Sequence, residues 1–356
     1  MSVIEIKNIG PISTASIPIP EGGGVVVLRG KNGSGKSRGH PGGGTDRRGG
    51  SSHAGVGWVK FNREKASFGR HETFPLRYGW LTKGFEAVKQ NPALFTQPEQ
   101  AMVALGVGRN MVNAIQYWLQ VTDVVTFHEG QGAPTPLGEA LLGAAGDPYL
   151  EDEATLWIIH WLIAANAEQA TGFYWFFNRF ALPHFQYQEA LQALGEFAAQ
   201  ELRVHRAQTT LKSDLSTLLR MYAPVAGRND EHLDSPLAQL HLVEAEAGRG
   251  YRSPRVERSF FPPIALHFAL AHRFAADPRQ PALPIRVVLY GGDDWAAAGA
   301  VFRLNEQGLM NVLTQVMERY PHCYELRDTA GVHQLYRGEV IDPLEVLRTH
   351  YRSTAI

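Results

Sequence analysis

Between Arg38 and Gly57 the chain runs RGHPGGGTDRRGGSSHAGVG, with Pro41 and glycines at 39, 42, 43, 44, 49, 50, 55 and 57. Glycine costs a helix about 1 kcal/mol per residue and an internal proline about 3, so this tract excludes a helix. The exclusion matters because of what stands before it. Gly30, Gly35, Lys36 and Ser37 satisfy the phosphate-cradling pattern G-x-x-x-x-G-K-[ST], and Val25 to Leu28 read as a short buried strand leading into it. Such a loop holds phosphates when its last residues open a helix, whose N-terminal amides and dipole face the anion. Here the helix has no sequence to form from.

A working ATPase also needs a metal-positioning acid at the end of a second buried strand. IRVVLYGGDDW, read as a strand, offers Asp293 and Asp294, but two glycines intervene, and no LSGGQ-like signature occurs. ATP is therefore not expected as a cofactor, and Gly30, Gly35, Lys36 and Ser37 are read as vestigial nucleotide-binding residues. Ile4 and Ile6 alternate with polar residues as in a half-buried strand. Residues 1–37 resemble the truncated start of an SMC- or ABC-like P-loop ATPase. Residues 38–57 read as a glycine-rich junction, with a genuine flexible linker as the alternative.

From about Trp58 the composition turns globular. Hydrophobic residues make up 44% of the 356 positions, enough for sizeable cores, and the length favours two to three domains. The net charge of -1 argues against a wholesale polyanion-binding surface but leaves room for a local basic patch. Cys323 is the single cysteine, which excludes an internal disulfide and suits a reducing compartment. No signal-peptide pattern opens the chain. The longest apolar run, ATLWIIHWLIAA from Ala154 to Ala165, falls short of the roughly 20 residues that span a bilayer. A soluble, cytoplasmic protein without a membrane partner is expected.

Two stretches carry the chemistry. In FGRHETFPLRYGWLTKGFEAVKQ, Arg70, His71, Arg77 and Lys83 are interleaved with Phe68, Phe74, Tyr78 and Trp80. Cations for phosphates and rings for bases suit a nucleic acid; the same pattern also fits a helix start with aromatics in the core and solvated charges. His71 and Glu72 are adjacent, so in extended backbone their side chains diverge. In PEQAMVALGVGRNMVNAIQYWLQVTDVV, Pro98 suits a helix start, Gly106-Val107-Gly108 a turn, and Val112, Ile115 and Leu119 share one face of a second helix. The other face shows Arg109, Asn110, Asn113, Gln116 and Gln120. Helix, glycine turn and helix are the helix-turn-helix pattern, and Arg, Asn and Gln can make bidentate contacts to base edges. An amide-rich face that is merely solvated is the alternative. VVTFHEGQGAPTPLGEALL then predicts a strand, a Gly/Pro turn carrying His128 and Glu129, and a short helix from near Thr135, which would complete a winged helix.

Downstream, Asp147 and Pro148 read as the N-cap and first position of a helix, and the run from Leu156 to Leu162 as a central buried helix with His160 a core histidine. FYWFFNRF extends the aromatic core. QEALQALGEFAAQEL and LKSDLSTLLRMY predict two helices, the second capped by Thr209, Thr210 or Ser213; PPIALHFALAHRF predicts another. RVVLYGGDDWAAAGAVFRLN, EQGLMNVLTQVMERY and CYELRDTAGVHQLYRGE predict strand, helix and strand. The fold class expected is mainly α with small β elements. It divides into a winged helix-turn-helix-like DNA-binding region at 58–145, an α-helical region at 146–280 and a small α+β tail at 281–356. No metal-spaced His/Cys pair, nucleophile elbow or dinucleotide fingerprint occurs, so residue chemistry alone establishes no enzyme and identifies no metal ligands.

FGRHETFPLRYGWLTKG, LGVGRNMVNAIQYWLQ, PTPLGEALL, DPYLEDEATLWIIHWLI, DSPLAQLHLV and DTAGVHQLYR occur in this order. Together they closely resemble an SspB-like family, catalogued as a domain of unknown function, that accompanies the PAPS-reductase-like genes of DNA phosphorothioation defence clusters. The likeness runs from Phe68 to Arg337. It implies a DNA-binding component acting with a cysteine desulfurase, an ATPase and a PAPS-reductase-like sulfurtransferase, and a DNA nick assisted by Mg²⁺ or Mn²⁺. On that resemblance Arg70, His71 and Glu72 are candidate catalytic residues. Arg77, Lys83, Arg109, Asn110, Asn113 and Gln116 are candidate DNA-binding residues. A non-catalytic DNA-binding scaffold or regulator of the same cluster is the competing expectation.

Overall fold

The computed structural model describes residues 3–9, 12–18, 59–202, 206–223, 235–246, 248, 250–292, 294–329, 331–339 and 341–354. The chain divides into two compact units, Met1–Ser52 and His53–Ile356. In the first, strands β1 (Val3–Ile9) and β2 (Ile12–Pro18) pair antiparallel, with Val3 opposite Pro18 and Ile9 opposite Ile12. The glycine-loop motif at Gly30, Gly35, Lys36 and Ser37, and the junction at 38–57, lie outside the described residues.

The second unit is mainly helical with small antiparallel sheets. Helices α1 (Trp80–Gln90), α2 (Pro98–Leu105) and α3 (Arg109–Val121) lead into strands β3 (Val125–His128) and β4 (Gln131–Pro134) and helix α4 (Pro136–Leu142). Then come α5 (Glu153–Ala164), α6 (Thr171–Asn178), β5 (His184–Gln186), α7 (Tyr187–Glu201) and α8 (Gln208–Tyr222). Strands β6 (Glu244–Ala245) and β7 (Gly250–Arg252) precede α9 (Pro263–Ala276) and β8 (Ala282–Pro284). The chain continues through α10 (Ile285–Tyr290), α11 (Ala298–Val301), α12 (Glu306–Arg319), β9 (Tyr324–Thr329), β10 (Val332–Arg337) and α13 (Pro343–Thr354). The sheets are β3-β4, β5-β7-β6 and β8-β10-β9, with antiparallel pairings throughout. Among the described residues no helix is long and apolar enough to cross a membrane.

The core centres on α5, whose residues from Ala154 to Ala164 are all buried, as its all-round apolar sequence requires. His160 is the core histidine expected. Its Nε2–H donates to the Val301 carbonyl at 2.8 Å and its Nδ1 accepts the Tyr222 hydroxyl at 2.7 Å. Burial pulls its pKa down to about 3, so the ring stays neutral. Arg303, 1% exposed, makes no ion pair with a carboxylate among the described residues. It donates to the Phe176 carbonyl and the Ser253 hydroxyl, each at 3.0 Å, between the rings of Phe176 and Phe177.

Several local expectations are corrected. IRVVLY is the helix α10, not a strand; of the two acids after it, already weak as metal-positioning candidates, Asp294 pairs with Arg179 at 2.5 Å and Asp293 lies outside the described residues. The β-branched run is overruled by packing, with Ile285, Val288 and Leu289 buried on one side of a short helix. The helix after Asp147 begins later: Asp152 is its N-cap, accepting the Ala154 amide at 2.9 Å. Asp147 uses both carboxylate oxygens on the Glu151 and Asp152 amides, each at 2.9 Å, in a turn that precedes the helix. Helix α8 starts from Ala207 without a side-chain cap, so Thr209, Thr210 and Ser213 lie within it. CYELRDTAGVHQLYRGE forms the hairpin β9-β10 rather than one strand.

Candidate functional site

The site grows from a turn that the sequence has no glycine to make. His71, Glu72, Thr73 and Phe74 close a tight turn, with the Phe74 amide donating to the His71 carbonyl at 2.8 Å. Glu72 and Thr73 both sit in the left-handed region, at φ 50° and 65°. For a β-branched residue this is a genuine outlier, worth of order 1–3 kcal/mol of strain. Such strain persists only where the surroundings over-determine it.

They do so here. The Thr73 amide donates to His71 Nδ1 at 3.1 Å. Because Nδ1 accepts, the ring proton belongs on Nε2, which faces Asp214 Oδ1 at 3.0 Å. The same carboxylate oxygen accepts the Gly69 amide at 2.5 Å. His71 is fully buried and Asp214 is 3% exposed. A further strut comes from Arg220 Nη2, which donates to the Thr73 carbonyl. Asp214 and Arg220 both lie on α8, so one helix holds the turn at two points. Gly172 makes the seat, because a Cβ there would come within 2.6 Å of Asp214 Oδ2.

The turn also abuts α3. Trp118 Nε1 donates to the Phe74 carbonyl at 3.2 Å, and the indole stacks on His71 with centroids 6.3 Å apart and planes at 11°. Tyr117 meets His71 edge-on. Burial first, and then the Asp214 charge, push the Tyr117 hydroxyl well above the usual phenol range, while the nearby Arg70 charge opposes them. His71 is therefore the hinge pin between α3 and α8, and Glu72 and Arg70 are exposed beside it. His71 and Glu72 do not form a pair: one faces the core, the other the solvent.

Helix α3 is set by its neighbours. Gly106 ends α2 in the left-handed conformation at φ 66°, and Gly108 in extended backbone opens α3. Val112, Ala114, Ile115, Trp118, Leu119 and Val121 are buried. Gly84 of α1 lets α3 approach, since a Cβ there would lie 2.7 Å from Leu119 Cδ1. Arg109, Asn110, Asn113 and Gln120 are exposed and Gln116 is half-buried. Lys83 is exposed on α1 and Arg77 is half-buried above the Phe74 and Trp80 rings. The hairpin β3-β4 turns through Glu129 and Gly130, at φ 49° and 80°, the double left-handed pair of a two-residue hairpin. Thr135 ties hairpin to helix. It caps α4 by accepting the Gly138 amide at 2.9 Å and donates to the Asp123 carbonyl at 2.5 Å.

Asp123, where α3 passes into the hairpin, carries a pH dependence. Burial raises its pKa from 3.8 to about 7. The unfolded chain loses this proton near pH 4, while the folded one keeps it to about pH 7, so stability falls as pH rises between those values. Asp123→Asn, which tolerates the left-handed backbone, should leave stability near pH 4 unchanged and raise it by about 1–3 kcal/mol at pH 8. Denaturant unfolding at both pH values checks this; parallel curves for the two proteins would remove the assignment.

Asp214 and Arg220 were missed from sequence, yet one signal was present. Asp214 stands between Leu211, Leu215 and Leu218 on the buried stripe of α8, and an acid on an apolar stripe demands a buried partner. No such signal marks Arg220.

A mainly helical body that seats a strained, non-glycine turn between a helix–turn–helix–hairpin segment and a long supporting helix is the class of protein defined here. The sequence family described as "Protein of unknown function (DUF4007)" matches residues 68–351, and the chain belongs to it. Two solved structures share the fold. A crystal structure of SspB with magnesium ion bound superposes with a TM-score of 0.71 at 24% identity, covering 80% of this chain and 88% of that one. A second SspB crystal structure gives 0.68 at 24% identity, covering 81% and 87%. No curated protein matches the sequence.

Proposed function

We propose that the chain is a cytoplasmic, DNA-binding component of a DNA phosphorothioation system, acting with a cysteine desulfurase, an ATPase and a PAPS-reductase-like protein, and that it nicks DNA at the Arg70–Phe74 turn. The observation that carries this reading is the juxtaposition of that strained turn with α3. The segment α1–α4 with the β3-β4 hairpin is read as a winged helix. Arg109, Asn110, Asn113 and Gln116 on α3 are read as base-edge contacts, with Arg77 and Lys83 as phosphate contacts. The similarity to SspB and the family blocks from Phe68 to Arg337 support the assignment to such a system.

Within the turn, the roles divide by exposure. Glu72 is the accessible carboxylate, suited to take a proton from the water that attacks phosphorus while the leaving oxygen gains one, so that each nick consumes one water. Arg70 is the accessible cation beside it, suited to the charge that builds on the phosphate. His71, with both ring nitrogens engaged inside, is a positioning residue. Among the described residues no three His, Cys, Asp or Glu side chains gather to hold a metal ion. Glu72 would be the side chain of the turn to hold a Mg²⁺ or Mn²⁺ ion, which would supply charge neutralisation at the phosphate.

The test is conversion of supercoiled plasmid to the open circle with Mg²⁺ or Mn²⁺. Glu72→Ala should cut the rate about 100-fold or more while DNA binding persists. The burial of His71 favours a second reading, a DNA-binding scaffold without catalysis. DNA binding with no nicking by the unaltered protein would establish that reading, and an active Glu72→Ala would remove Glu72 from the chemistry.

A further inference from the structure

Two guanidinium groups lie against neighbouring residues of the turn, Arg220 on the Thr73 carbonyl and Arg77 over the Phe74 ring. Arg220 reaches the turn from α8, donating through Nη2 to the Thr73 carbonyl and, at 3.3 Å, to Thr217 Oγ1, and through Nε to the Ser216 carbonyl at 3.3 Å. Arg77 lies against the side chain of Phe74, its Cζ 5.8 Å from the Phe74 ring centroid and 5.5 Å from that of Trp80. Its Nε is buried and has no hydrogen-bond acceptor among the described residues. Among those residues neither arginine belongs to an ion pair, although ion pairs are made by other arginines of the same body, such as Arg63 with Glu201 and Arg179 with Asp294. Burial, and after it the Arg77 charge, hold Arg220 below the usual guanidinium range.

Two like charges drawn together in a half-buried place oppose folding unless something of opposite sign joins them. The guanidinium fork matches the tetrahedral oxygens of a phosphate, and aromatic faces under Arg77 fix its plane in advance. We propose that Arg77 and Arg220 form one anion site, beside Glu72, that takes a single phosphate group of the DNA backbone. This rests on the DNA-binding reading above and deepens it. It adds Arg220, on a helix remote in sequence from the basic and aromatic stretch, and it makes Arg77 and Arg220 one site rather than two contacts. The site would set the distance between the bound backbone and the Glu72 carboxylate.

The experiment uses the full chain with Arg77→Gln, Arg220→Gln and the double variant. DNA affinity is measured over a series of salt concentrations, together with the protection given by inorganic phosphate against thermal unfolding. The Nε of Arg77 has no acceptor to lose, so Arg77→Gln removes the charge without dismantling the turn. Each single variant is expected to bind DNA about tenfold more weakly and to lower the slope of log affinity against log salt by about 0.9, one phosphate's worth. The double variant should lower the slope no further, because the phosphate is held only by both arginines together and either substitution already loses it. Unchanged slopes in Arg77→Gln and Arg220→Gln, with DNA still bound, would overturn the proposal. So would a double variant that loses two phosphates' worth, which would mean separate contacts. Failure of the unaltered protein to bind DNA at any salt would instead break the DNA-binding reading. In that case phosphate that protects the unaltered protein but not Arg77→Gln would leave the anion site standing with a free phosphate as its ligand, and equal protection of both would remove the site as well.

Discussion

Asp214→Ala is expected to lower the unfolding free energy by about 3–5 kcal/mol, a large part of the stability of an ordinary domain. The carboxylate is 3% exposed and serves two donors, the Gly69 amide at 2.5 Å and His71 Nε2 at 3.0 Å. Deleting it leaves the buried His71 donor and the half-buried Gly69 amide without an acceptor, which costs more than the bonds themselves contribute. It also empties the seat that Gly172 keeps clear. Urea unfolding measures the loss, and a double-mutant cycle with His71→Ala tests its origin. The two substitutions break the same hydrogen bond, so the double variant should lose less than the sum of the singles. Additive losses would show that His71 and Asp214 do not act as one unit. Relaxation of the Glu72 and Thr73 backbone should follow, so any plasmid nicking by the folded fraction should fall as well.

The second large effect is expected at the proposed DNA-reading face. Arg109→Ala combined with Asn113→Ala should cost about 1–3 kcal/mol for each bidentate pairing to a base edge that disappears. The loss should fall on preferred sequences while affinity for random DNA changes little. Both side chains are exposed and neither anchors α3, whose buried residues are Val112, Ala114, Ile115, Trp118, Leu119 and Val121. Folding should therefore be untouched. Fluorescence anisotropy with selected and scrambled duplexes at one salt concentration measures the difference. Equal affinity of variant and parent for both duplexes would remove α3 as a reading helix.

The helices with a clear apolar period were legible in the sequence. Pro98 starts α2, Gly106-Val107-Gly108 separates it from α3, and Thr135 caps α4, as their residue types require. What escaped depends on contacts distant in the chain. IRVVLY carries strand-like β-branched residues, but Pro284 and Gly291 bound the segment and it packs as α10 with Ile285, Val288 and Leu289 buried. Asp147 and Asp152 offer the same capping chemistry five residues apart, and propensity alone cannot choose between them. The candidate site shows the limit most clearly. Arg70, His71 and Glu72 stand out as a block, but adjacency says nothing of which side chain faces inward. Asp214 answers that from 143 residues away.

Helix α5 has a consequence for how the body comes apart. Every residue from Ala154 to Ala164 is buried, so the helix has no solvent face on which to survive alone. Its partners come from widely separated stretches: Tyr222 and Val301 on His160, His272 on Trp161 Nε1, and Tyr351 on Thr155. Loss of one of these stretches exposes α5, and exposed α5 is a sticky apolar rod. Removing α13 takes Tyr351 away from Thr155, so a chain cut short before α13 would present a surface prone to self-association instead of a smaller stable fold.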